Sequence, residues 1–168
     1  PLVLKTSNAD ISFYSTVMAG NAALANKRSL TLNAGTGSVL FSDSVGGTYS
    51  TYGSFQSSNG DNSPYQLIVT ASTILLKANI VTFETQTYNG NILVGDNGTN
   101  GLIRTLISED PAITFNGNID DTILGQHSLV VTAVTTTTNQ MPAITFNGDV
   151  GATTALKGLK ATTGIQNS

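Results

Sequence analysis

The sequence predicts an all-β domain, a right-handed parallel β-solenoid (β-helix) built from repeats of about 30 residues, and three observations lead there. Gly, Thr, Ser and Asn fill 74 of the 168 positions, whereas Lys, Arg, Asp and Glu together supply 17. The run Ala112-Ile113-Thr114-Phe115-Asn116-Gly117 returns 31 positions later as Ala143-Ile144-Thr145-Phe146-Asn147-Gly148. Apolar and polar residues alternate in short runs, which is the period of an extended chain with one buried face.

Taken in order, the elements start with a strand at Leu2-Val3-Leu4. Ile11-Ser12-Phe13 follows, with Val17 behind it, and Val39-Leu40-Phe41 with Val45 repeats that arrangement. Ile113, Phe115 and Ile119, then Ile144, Phe146 and Val150, complete four copies with apolar residues at i, i+2 and i+6. Even spacing puts all three on one face of a strand. Each copy continues into a second strand: Leu30 to Ala34, Leu67 to Ala71, Leu129 to Ala133, and Leu159 to Thr163. The copies therefore lie near 9–34, 38–71, 112–133 and 143–163 of a single domain spanning 1–168. The divergent region 73–108 still reads as strands around Ile74, Ile80, Ile92 and Ile103, separated by Asn-Gly and Asp-Asn-Gly turns. Met18 to Lys27 is the one stretch of helical composition, and Gly20, Asn21 and Asn26 make it a loop or a single turn.

A unit of two or three short strands cannot bury its apolar face alone. Stacking such units builds a continuous core and pairs the backbone between layers. Stacked identical positions disfavour charge, while Thr and Asn tolerate that register and can bond in ladders. The alternative architecture is a β-sandwich or jelly roll, which also carries turn signals every 8–12 residues. Composition excludes other classes. A net charge of −3 with seven cations leaves no basic footprint for nucleic acid. No run approaches the ~20 apolar residues of a membrane span, so no membrane insertion is expected. The absence of Cys removes disulfides and thiolate metal sites and suits a protein exported through an oxidising compartment.

The segments Thr85 to Ile92, Ile113 to Gly117, Gln126 to Thr132 and Ile144 to Leu156 resemble the repeats of filamentous-haemagglutinin-like, or β-strand-repeat, exoproteins of bacterial surfaces. The resemblance runs over Thr73 to Gly164 and is thinner before that. It implies an extracellular, cell-surface solenoid stalk with a structural or adhesive role and no catalysis. A stack of repeats without polar caps also leaves unpaired backbone at each end. Flanking repeats or other copies of the chain, stacked end to end, are therefore the expected partners, with host or matrix glycan or protein as a further contact. The resemblance favours flanking repeats.

Candidate sites are few. His127 is the sole histidine, with Ser128 beside it and Asp120-Asp121 shortly before. Neighbours on a strand point to opposite faces, so a Ser-His-Asp triad is disfavoured and His127 is expected at a solvent-facing strand end. A carbohydrate-active or carbohydrate-binding solenoid is the alternative function. It would need Asp120, Asp121, Asp149 and Arg104 to converge on one face, whereas turn aspartates are the simpler reading. The oxygen-rich turns Asn59-Gly60-Asp61-Asn62 and Asp96-Asn97-Gly98 continue into no calcium loop, and no cofactor motif is present. The most distinctive feature is the insertion 46–66, where Tyr49, Tyr52, Phe55 and Tyr65 sit among Gly, Ser and Asn. Such side chains suit a contact surface, or a flap over the side of the domain.

Overall fold

The computed structural model describes residues 1–19, 28–47, 63–98, 101–108, 112–135 and 140–165. Among these residues there is no helix, and the strands are β1 Leu2–Lys5, β2 Ile11–Phe13, β3 Leu30–Asn33, β4 Ser38–Phe41, β5 Leu67–Leu76 and β6 Ile80–Thr82. The chain continues with β7 Gln86–Val94, β8 Ile103–Ser108, β9 Ala112–Phe115, β10 Ile119–Asp121, β11 Ser128–Thr135, β12 Ala143–Phe146 and β13 Gly158–Ile165. They form a nine-stranded and a four-stranded sheet, and every strand pairing is parallel. Sandwiches and jelly rolls are built from antiparallel pairs, so that alternative does not describe the chain.

Register sorts the strands into three columns. In the first, Leu2, Leu30, Leu67, Gln86, Ile113 and Ile144 lie side by side, and so do Leu4, Leu32, Val69, Tyr88, Phe115 and Phe146. In the second, Ile11, Val39, Ile74, Ile92, Ile119 and Val150 are neighbours. The third aligns Val17, Val45, Ile80, Leu106, Val131 and Ala161. The chain visits the columns in the same order on six successive passes, each lying against the one before.

The 31-residue repeat is this register: Ala112 to Phe115 pair residue for residue with Ala143 to Phe146. Leu129 pairs with Leu159, one position short of the same offset. The four apolar-x-Phe segments, however, fall into two pairs. Ile11 and Val39 belong to the second column, while Ile113 and Ile144 belong to the first. Any face of a pass can carry an apolar-x-apolar strand, so the pattern alone does not say which face it is.

Inward positions fill the core. Tyr88, Phe115 and Phe146 stack with centroids 5.4 and 5.0 Å apart and planes within 10°. Phe13 stacks on Phe41 at 5.7 Å. Each such pair adds roughly 0.5–1.5 kcal/mol to the burial of its rings. Just beyond them, the Nδ2 of Asn147 donates to Asn116 Oδ1 and that of Asn116 to Asn89 Oδ1, both at 2.7 Å. This is the polar ladder expected of stacked asparagines.

The expected Asn89-Gly90 turn lies instead inside β7, which passes the corner between the first two columns as a continuous strand. Ala71 and Ser72 of β5 oppose Gly90 there as a bulge. Glycine is required by close approach, since a Cβ on Gly90 would stand 2.0 Å from Ala71 O, and one on Gly117 would stand 2.4 Å from Gly90 O.

Two outcomes test this packing. Phe115→Ala should lower unfolding free energy by about 3–5 kcal/mol in urea titrations, because both stacks and a filled core position are lost. Gly117→Ala should also destabilise, whereas Gly164→Ala, whose added Cβ meets nothing within 4 Å, should not.

Candidate functional site

The polar residues that the fold brings together cluster at the corner between the second and third columns. Asp121 ends β10 at an inward position, opposite Val94 of β7, where alternation calls for an apolar side chain. Arg104 of β8 is likewise inward, opposite Leu129 of β11, and 0 % exposed. His127, just before β11, is 1 % exposed. It is therefore a buried residue and not the solvent-facing strand-end histidine expected from sequence.

Its imidazole is held on both sides. Nδ1 lies 2.5 Å from Asp121 Oδ1, and Nε2 lies 2.7 Å from Asp96 Oδ2 in the turn after β7. A neutral imidazole has one N–H, so the ring donates to both ionised carboxylates only when it is doubly protonated. Asp121 also accepts the backbone N–H groups of Ile123, Gln126 and His127 at 2.8–3.0 Å, which shapes the 122–127 loop. Arg104 donates from Nε to Gly95 O at 2.6 Å and from its terminal nitrogen to Gly101 O, pinning the neighbouring turn from inside. Asp96 Oδ1 accepts the N–H of Gly98 at 2.7 Å.

These contacts set the ionisation. Burial pushes the His127 pKa down, but hydrogen bonds and charge from Asp96 and Asp121 outweigh it and leave it above 6.5. The hydrogen bond from His127 holds the Asp96 pKa below 3.8, helped by Gly98 N–H and the nearby Arg104 charge. Burial raises that of Asp121, yet the His127 backbone and ring donors and the Ile123 N–H carry it below 3.8. Burial lowers the Arg104 pKa against the pull of Asp96, and a guanidinium keeps its charge regardless.

Chemically, the cluster is closed. Both ring nitrogens are occupied by carboxylates, so His127 has none left to activate Ser128. The aspartates proposed for a polysaccharide site do not act together either. Asp120 points away from Asp121 across the strand and accepts the N–H groups of Thr153 and Thr154, both at 2.9 Å. Asp149 is exposed. Among the described residues no group of three or more His, Cys, Asp or Glu is placed to hold a metal ion.

Of the aromatic insertion, Tyr49, Tyr52 and Phe55 lie outside the described residues, as does the Asn59 to Asn62 turn. Tyr65 is half-buried, and its hydroxyl donates to Glu84 while its backbone bridges Arg28 and Glu84. A recess of about 410 Å³ opens beside the first pass, lined among the described residues by Leu2, Val17, Met18, Arg28, Leu30, Pro64 and others, none of them a carboxylate or imidazole.

Sequence reading placed Asp96 in a turn but missed its contact with His127 and the joint role of Arg104 and His127. The available signal was alternation: Ile119-x-Asp121 and Arg104-x-Leu106 place opposite charges at core-facing positions.

Two measurements probe the cluster. Asp121→Ala leaves three backbone donors and a buried cation without their acceptor and should cost about 3–5 kcal/mol in urea titrations. The cluster's pH dependence follows from the directions of shift. The His127 contribution is complete below 6.5 and is lost as pH rises through its raised folded pKa. Those of Asp96 and Asp121 are complete above 3.8 and are lost as pH falls through their lowered ones. Stability from the cluster should therefore peak between about pH 4 and 6.5, and His127→Gln should abolish the decline on the alkaline side.

No protein-family model, curated protein or solved structure matches the chain.

Proposed function

We propose that the chain is a structural or adhesive segment of a secreted bacterial cell-surface protein, a right-handed parallel β-solenoid that forms an elongated stalk or extracellular filament without catalysing a reaction. The observation that carries this reading is the in-register parallel stacking of three columns through six passes. Such stacking grows along one axis, and the right hand follows the rule obeyed by almost all parallel crossovers. The resemblance to filamentous-haemagglutinin-like repeats and the Cys-free composition supply the extracellular setting. Against an enzyme stands the fate of the titratable groups: His127, Asp121 and Arg104 are buried, and their polar atoms serve neighbouring chain segments. No cofactor is part of the reading, and nucleic acid and membrane insertion are not among its partners.

Reducing-end detection after incubation with neutral and acidic polysaccharides should find no new chain ends. Reproducible cleavage that disappears on replacing the exposed Asp149 with Ala would overturn the non-catalytic reading. Contact with glycan or protein is assigned to the 46–66 insertion by its four aromatics. Tyr49→Ala with Tyr52→Ala should then weaken retention on matrix material several-fold at unchanged thermal stability, and an equal loss of stability would make the loop a cover instead.

A further inference from the structure

We propose that the open edge of β12 receives the β1 edge of a second copy of this chain, parallel and in the register that successive passes already use, giving head-to-tail assembly. This rests on the structural reading above and names its partner.

Among the described residues each of these strands pairs on one side only in the first column. On β1, the N–H groups of Leu2 and of Thr6 just beyond it donate to Ser29 O and Asn33 O at 2.8 and 2.9 Å. Alternation then turns the N–H and C=O groups of Val3 and Lys5 to the open side. Just after β12, Asn147 N–H donates to Phe115 O at 2.9 Å, so Ile144 and Phe146 turn their backbone groups to the opposite, open side. Set in the internal register, Leu2 falls opposite Ile144 and Leu4 opposite Phe146. Lys5 N–H then meets Phe146 O as Asn147 N–H meets Phe115 O within the chain.

The side chains match as well. Leu2 and Val3 are 58 and 59 % exposed on one end, and Val150, Leu159 and Ile165 are 37, 43 and 49 % exposed on the other. Leu4 would cover the open face of the Phe115–Phe146 stack, and Ile11 would meet Val150. In the asparagine ladder each Nδ2 points to the preceding pass, so Asn147 directs its Oδ1 forward. The residue that would arrive there is Lys5, whose ammonium offers only donors.

One position opposes the match. The rank that carries Asn91 and Asn118 inside the chain would juxtapose Asp149 with Asp10, and like charges directly opposite weaken strand pairing. The register therefore predicts a specific gain on neutralising one of them.

Sedimentation of the 168-residue chain from micromolar to about 1 mM should show concentration-dependent association. Val3→Pro removes an N–H that the fold does not use, on an edge where proline is tolerated. It should weaken association at least about tenfold, with an unchanged unfolding transition. Asp149→Asn should tighten it about two- to fivefold, while Asp43→Asn, an equal charge change on the second pass, should not. A wild-type chain that stays monomeric at about 1 mM, or a Val3→Pro chain that associates as well as wild type, would overturn the proposal. Either result would leave the stalk reading intact, since that reading fails on polysaccharide cleavage instead.

Discussion

One constraint governs the described residues: the backbone of each inner pass is satisfied by parallel pairing to the passes on either side. Strands so paired sit about 4.8 Å apart, and each residue has a neighbour at the same position in the next pass. What can be stacked on itself is therefore what the sequence can contain. Flat rings can, and Tyr88, Phe115 and Phe146 do. Carboxamides can, because each has a donor and an acceptor, and Asn89, Asn116 and Asn147 form such a chain. Glycine at the corner lets one backbone approach the next, as at Gly90 and Gly117. Like charges cannot be stacked cheaply, which accounts for 17 charged residues among 168.

The one corner where charges enter the interior obeys the same constraint differently. Asp121 and Arg104 stand at inward positions of adjacent passes, and His127 and Asp96 complete a set of two cations and two anions. Burying a single charge there would be costly, but the alternation of sign and the backbone donors and acceptors around it compensate. The gain is shape: two irregular corner turns are held by interior side chains instead of by strand pairing. Such a cluster looks superficially catalytic, yet each of its groups already has its proton partner.

Much of this was legible in the sequence. All-β character follows from composition and period two, because no helix could bury residues at i and i+2 on one face. The 31-residue offset of Ala112 to Phe115 against Ala143 to Phe146 is the actual pairing register. Less legible were the corner geometry and the polar cluster. Asn89-Gly90 carries a turn signature, but whether the chain turns or runs through depends on the strand beside it, and Ala71-Ser72 bulges to let it continue.

By itself, then, the sequence determined which residues alternate, which repeat, and which cannot tolerate charged neighbours, because those are properties of a strand and its period. Only the tertiary structure decided which column each apolar-x-Phe segment occupies and that Asp96 comes within reach of His127. Those two residues are 31 positions apart, the same distance as Ala112 and Ala143, but one pass also contains turns of unequal length. Local pattern cannot count residues around such corners. The pairing of one pass on the next does so, and it turned a histidine that reads as solvent-facing into a buried one held between two carboxylates.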